Sequence, residues 1–213
     1  ALPFHVLSRN ARKHVTVCLS GEGGDEVFVG YDRFIASKLE RTIYTLLPSF
    51  LRQQIIQPVV EWLPDRPQKK GAINLLKRFV EGAALPVEAQ HMRWQYFSSI
   101  EQDRKLFTSA FLNRITLDPF EPIRRCASLA GETDRLSKEC YIDTRLTMPD
   151  SVLMKVDKMS MAASLEVRVP FLDHRLVEFA AKIPSATRFP GVRTKAIYRK
   201  AMEGILPSFI LER

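Results

Sequence analysis

Three carboxylates and three glycines fall within six residues, Gly21-Glu-Gly-Gly-Asp-Glu26. Glycine lets the backbone take positive φ and approach a ligand closely, where a Cβ would hinder it. Carboxylates supply the hard oxygen ligands that Mg2+ takes together with phosphates. Glu22, Asp25 and Glu26 would repel a bare phosphate, so a nucleotide at this loop would arrive with its metal. The segment is not a P-loop, because no Lys-Ser or Lys-Thr follows the glycines, and it is not a G-x-G-x-x-G dinucleotide fingerprint. An acidic surface turn after a core strand has the same composition, and composition alone leaves both readings open.

The elements that must position this loop flank it. Val15-Thr-Val-Cys-Leu19 is an unbroken, largely β-branched run predicted to be a buried strand, and Val27-Phe-Val29 could open a helix. In open α/β sheets ligands bind beyond the carboxyl ends of strands, which is where the loop falls. Residues 2–13 carry apolar positions at helical spacing and end in Arg12-Lys13, which suits a helix C-terminus. A helix feeding a strand is half of an α/β unit. One strand does not make a sheet, so other strands either hide in the helical-looking remainder or lie upstream of Ala1, and the second is expected.

A second chemistry-bearing stretch runs from Tyr141 to Ile183. Pro149 and Asp150 predict a helix start. Lys155 and Lys158, three apart, share a helical face with Asp157 beside it, which an ordinary ion-paired surface explains equally well. Ser164-Leu-Glu-Val-Arg-Val169 alternates apolar and charged residues as an extended segment does, and Asp173 is placed to cap the next helix.

Leu19-Ser-Gly-Glu-Gly-Gly-Asp-Glu-Val-Phe-Val-Gly-Tyr31 resembles a signature of the synthetase domain of glutamine-dependent asparagine synthetases. Met148-Pro-Asp-Ser-Val-Leu-Met-Lys-Val-Asp-Lys-Met-Ser-Met, followed by Ser164-Leu-Glu-Val-Arg-Val-Pro-Phe-Leu-Asp173, is similar to another, nearly residue for residue. The resemblance is specific over about residues 15–31 and 148–184 and generic between them. It implies an α/β fold of the ATP-pyrophosphatase (adenine nucleotide alpha-hydrolase-like) type, mostly helical here. It also implies that residues 1–213 are part of a synthetase domain. The family's Ser-Gly-Gly-x-Asp-Ser pyrophosphate loop, its amino-terminal glutaminase domain and its carboxyl-terminal end, with a charge-stabilising lysine, are expected outside this stretch. These residues alone are not expected to catalyse.

Carried over residue by residue, the resemblance implies that Asp25 binds Mg2+ and pyrophosphate and that Glu22 is a catalytic polar group at the acyl-adenylate. Leu19, Ser20, Gly21 and Gly23 would lie along ATP. Glu26, Asp157, Lys158, Glu166 and Arg168 are expected in a supporting charge network. The implied reaction is ATP-dependent amidation of aspartate to asparagine with ammonia from glutamine. Relatives that amidate another carboxylate, and a non-catalytic domain of the same fold, are the alternatives. The implied partners are the small-molecule substrates and the protein's own glutaminase domain, and a homodimer is allowed.

Composition narrows the classes. The chain has 213 residues, 46% of them apolar, enough for one sizeable core and a satellite subdomain. No run is long enough to span a bilayer and no signal-peptide pattern opens the chain, so a soluble protein without a membrane role is expected. Three widely spaced cysteines, Cys18, Cys126 and Cys140, suggest neither a disulfide framework nor a zinc knuckle and favour a reducing cytoplasm. The net charge of +8 comes from scattered singlets and pairs without interleaved aromatics, so nucleic acid is not expected as a partner. Between the two stretches, two helices with a turn between them are predicted over residues 32–63, broken at Pro48, Pro58 and Pro64, and short amphipathic helices over 72–84, 87–97, 109–114 and 121–129, with Pro64–Gly71 as a linker. Trp94, Tyr96 and Phe97 read as core aromatics. A basic helix is expected from Lys195 to Met202.

Overall fold

The computed structural model describes residues 1–46, 56–62, 72–95, 104–116 and 118–212. In chain order the named elements are α1 (Leu2–Arg12), β1 (Val17–Leu19), α2 (Gly24–Val27), α3 (Asp32–Leu46), α4 (Gln57–Trp62) and α5 (Ala72–Ala83). After a 3-10 helix, Val87–Trp94, come α6 (Ser109–Leu112), α7 (Glu121–Leu129) and α8 (Arg135–Ile142). A π-helical segment, Asp143–Leu153, leads into α9 (Met154–Met161), β2 (Glu166–Arg168) and a 3-10 turn, Pro170–Leu172. The chain continues as α10 (His174–Lys182), α11 (Ser185–Arg188), α12 (Ala196–Ala201) and α13 (Ser208–Leu211). It forms two compact units, Ala1–Tyr31 with Leu129–Arg213, and Asp32–Ser128. No helix among the described residues is long and apolar enough to cross a membrane.

The first unit carries both signature stretches. Helix α1 begins with proline in its first turn and ends with Arg9 and Arg12, cations that suit the negative end of the helix dipole. It packs on α9, with Ser8 buried and the His5 ring 3.4 Å from the Met159 carbonyl. β1 and β2 pair in parallel, Val17 opposite Glu166, Cys18 opposite Val167 and Leu19 opposite Arg168. The chain is therefore mostly helical with a small parallel sheet, in keeping with an α/β class. The strand expected over residues 15–19 is shorter and is not buried, for Leu19 is 72% exposed and Val15 and Val17 are exposed too. Parallel strands are buried only when layers cover both faces. Among the described residues β1 pairs with one strand, β2, and within it only Cys18 is partly buried.

Pro149 does not start a helix. Helical backbone runs unbroken from α8 through the π segment into α9, with Pro149 inside it. Proline lacks an N–H, and its ring clashes with the carbonyl four residues earlier in an α-helix. The wider π turn relieves that conflict. At its end the Met154 N–H donates to the Pro149 carbonyl, five residues back.

Other expectations hold. Leu165 is buried while Glu166 and Arg168 are exposed, and Asp173 caps α10 by accepting from the Arg175 N–H at 2.9 Å.

The named elements of the second unit are all helices. Phe34, Val60, Ala89, Met92, Ile123, Cys126 and Ala127 are buried there, as are Glu40, Gln90, His91 and Arg93. Arg93 pairs with Glu81, its Nε 2.6 Å from Oε2. The helix expected over residues 87–97 is a 3-10 helix, Val87–Trp94. Trp94 is half-buried; Tyr96, Phe97, Pro48 and the Pro64–Gly71 linker lie outside the described residues.

Candidate functional site

The glycine loop leaves β1 where the Ser20 N–H donates to the Arg168 carbonyl at 2.8 Å, one step beyond the strand ladder. Gly23 has φ 91°, and a Cβ there would lie 2.5 Å from Leu172 Cδ2. A Cβ on Gly24 would meet the Phe171 ring at 3.4 Å. The sequence suggests that all three glycines serve a ligand, but two of them seat the loop against Phe171-Leu172 of the second stretch. Gly21 alone opens onto free space, with no atom within 4 Å of its Cβ position.

The single turn of α2 then sends two neighbouring acids in opposite directions. Asp25 points outward, and its Oδ1 lies 2.7 Å from Lys195 Nζ, both side chains about a third exposed (39% and 33%). Glu26 points inward and is 1% exposed, accepting from the Tyr31 hydroxyl at 2.5 Å. Burial raises the Glu26 carboxyl above its usual range; the Tyr31 hydrogen bond works against this, and the charges of Asp25 and Asp143 add to it. Glu22 is half-buried, and its carboxylate makes no hydrogen bond or ion pair among the described residues.

An aromatic triangle brings the distant segments together. Phe28, directly after α2, lies 5.2 Å from Tyr198 of α12 and 6.0 Å from Phe171, and Phe171 lies 5.4 Å from Tyr198 between ring centroids. Val27 and Ala180 complete this cluster with Leu176, Val177 and Ile197. Edge-to-face and tilted pairs of this kind add stability beyond the area they bury. They fix α12 so that Lys195, at its amino end, meets Asp25.

Comparison with known proteins gives one consistent result. The family model for asparagine synthase matches residues 1–213. The chain belongs to the asparagine synthase family. It is 30% identical over its whole length to asparagine synthetase [glutamine-hydrolyzing] 1 of Bacillus subtilis, covering 32% of that protein. It is likewise 31% identical over its whole length to a putative asparagine synthetase [glutamine-hydrolyzing] of Mycobacterium bovis, covering 31% of it. Against the Gallus gallus asparagine synthetase [glutamine-hydrolyzing], 39% of the chain aligns at 35% identity. The chain thus spans about a third of the length of the first two relatives. No solved structure gives a significant match.

In this member of the asparagine synthase family, Leu19, Ser20, Gly21, Glu22, Gly23 and Asp25 follow one another from the end of β1 through the loop into α2, all at least partly exposed except Gly23, which is buried. The charged residues expected as a network do not form one. Glu166 and Arg168 pair with each other at 2.7 Å on the surface. Asp157 and Lys158 are exposed on α9 and make no side-chain bond among the described residues. Glu26 is engaged with Tyr31 instead. The reason is geometric: alternate residues of a strand share a face, so Glu166 reaches Arg168, whereas α9 turns its charges to solvent. A depression of about 440 Å³ lined by Arg12–Val17 lies at the amino end of β1, away from the loop.

Three residues went unrecognised in the sequence: Val29, Gly30 and Lys195. Lys195 did leave a signal, because a cation at a helix N-terminus opposes the helix dipole and has no local reason to be there.

Proposed function

We propose that the protein containing this chain is an ATP-dependent ligase that amidates aspartate to asparagine through an acyl-adenylate, with ammonia supplied from glutamine by a separate glutaminase domain. Its synthetase domain would have the ATP-pyrophosphatase fold and work in the cytoplasm, alone or as a homodimer. One observation carries the reading: the two signature stretches, some 140 residues apart, converge through Gly23, Gly24, Phe171 and Leu172 on a loop that presents Asp25 outward. Family membership supports the reaction class.

The residues fit a magnesium nucleotide. No group of three or more His, Cys, Asp or Glu among the described residues is placed to hold a metal by itself. Mg2+ does not need one, since it commonly takes one or two carboxylates and completes its shell with phosphates and water. Asp25 would be the protein ligand. When bound, ATP would supply the adenylyl group that activates the substrate carboxylate, and Mg2+ the charge that offsets the phosphates. The chain's own residues do the rest. The open backbone at Gly21, with Leu19 and Ser20 before it and Gly23 after it, would lie along the nucleotide. Glu22, unpartnered and half-buried, would orient the activated acyl group or accept a proton from the incoming amine.

Pyrophosphate release from Mg-ATP by the full-length protein, with ammonia and with or without aspartate, tests this. Release that depends on aspartate and disappears in Asp25→Ala is the expected result. Release with a different carboxylate instead would keep the reaction class and change the product. A folded protein that releases none with any carboxylate would leave a non-catalytic domain of the same fold.

A further inference from the structure

The longest departure from α winding among the described residues lies against the turn that presents Asp25. The π segment runs for 11 residues, Asp143–Leu153, whereas π winding ordinarily occupies a single turn inside an α-helix and is frequent at functional sites. It packs against α2. Two of its side chains are closed to water, Asp143 at 0% and Met148 at 1% exposure, and they stand five positions apart. In an α-helix, at about 3.6 residues per turn, that spacing sets two side chains about 140° apart around the axis. In a π turn, whose hydrogen bonds close between residues five apart, they come onto one face. Asp143 is on the side of α2, for its charge acts on Glu26. The winding thus brings Met148 round to the face on which α2 rests.

Pro149 makes this form obligatory. In an α-helix its ring would clash with the carbonyl of Arg145, four residues back, and only the wider turn accommodates it. We propose that Pro149 is a positioning residue for the Asp25 site, holding the segment in π form so that Asp143 and Met148 together seat α2 and fix the direction in which Asp25 points. Its own ring is exposed, and it acts only through the winding. The inference rests on the magnesium-nucleotide reading of Asp25.

Calorimetric titration of the full-length protein with inorganic pyrophosphate and Mg2+, at a temperature where every variant is folded, tests it beside thermal melts. Pro149→Ala lets the segment take α winding and swings Met148 off the shared face. Binding is expected to weaken roughly tenfold, as follows when a site ligand is misplaced by a fraction of an ångström. The midpoint is expected to hold or rise, because relief of the π winding offsets the freedom that proline removes from the unfolded chain. A merely structural proline gives the reverse, a lowered midpoint with unchanged affinity, and that result would overturn the inference. Met148→Ala empties the seat and should weaken binding as well as lower the midpoint, while Met148→Leu, close in volume, should recover both. Should Pro149→Ala fail to fold, the Met148 pair decides by affinity alone. Binding that is lost in Asp25→Ala but intact in Pro149→Ala or Met148→Ala sinks this inference only. No binding by the wild type sinks the nucleotide reading and this inference with it.

Discussion

In the unit that holds the glycine loop, the ion pair at the site, Asp25 with Lys195, is about a third exposed at both ends. In residues 32–128, by contrast, the Arg93 side chain is 9% exposed against Glu81, and Glu40 and His91 are fully buried. The two places put charge to different use. A partly exposed pair contributes little to stability and leaves its donors within reach of a ligand. A buried cation cannot reach a ligand, and removing Arg93 empties a packed position and leaves Glu81 without this partner. Buried charge therefore marks where the helical unit is held together, and half-exposed charge marks the site proposed for the nucleotide in the other unit.

Substitutions can break or sharpen that contrast. The largest expected effect on stability is in the helical unit, where Arg93→Met should cost about 2–3 kcal/mol, because a side chain only 9% exposed is replaced and Glu81, itself 35% exposed, loses its partner. Chemical denaturation measures this, and a loss no larger than that of Lys195→Met would erase the distinction between the units.

A smaller loss is expected at Asp134, which caps α8. It accepts from the Ser137 N–H at 3.2 Å and hydroxyl at 2.9 Å, and from the Ser185 hydroxyl of α11 at 2.6 Å. Asp134→Ala should lower stability by about 1–2 kcal/mol. Partial burial works to raise this carboxyl, but the bonds from Ser185 and Ser137 win and hold it below its usual value. Its contribution is thus present above the unfolded pKa and is lost as pH falls through the folded one. Melts of wild type and variant should converge in acid, and a constant gap would show that the carboxylate charge is irrelevant.

The smallest effect has the opposite sign. The Glu26 carboxyl is raised above its ordinary value of 4.5, so its favourable contribution is complete below that pH and is lost as pH rises through the folded pKa. Glu26→Gln keeps an oxygen for the Tyr31 hydroxyl and never ionises. Its thermal midpoint should gain on the wild type as pH climbs from about 4.5 towards neutrality. Parallel curves would mean that Glu26 sits in a wetter place than its 1% exposure indicates.

How much was legible in advance differs residue by residue. Helix α1, the loop after β1, the extended segment at Glu166–Arg168 and the Asp173 cap follow from local rules, since periodicity, glycine content and side-chain capping act within a few residues of chain. Pro149 misled because the local rule for proline assumes an α-helix, and a π turn satisfies proline differently. The charge network misled because proximity in sequence is not proximity in space: Asp157 and Lys158 adjoin Glu166 and Arg168 along the chain but not across it.

By itself the sequence determined the family, the acidic glycine loop and the identities of Glu22 and Asp25 as candidates, because these are runs of adjacent residues whose chemistry is fixed by type and spacing. Only the tertiary structure decided which acid faces outward, that two glycines serve packing, and that Lys195 meets Asp25 across about 170 residues of chain. Those outcomes depend on the packing of Phe28, Phe171 and Tyr198 and on a glycine gap one methyl group wide, and no local pattern encodes distances between segments so far apart.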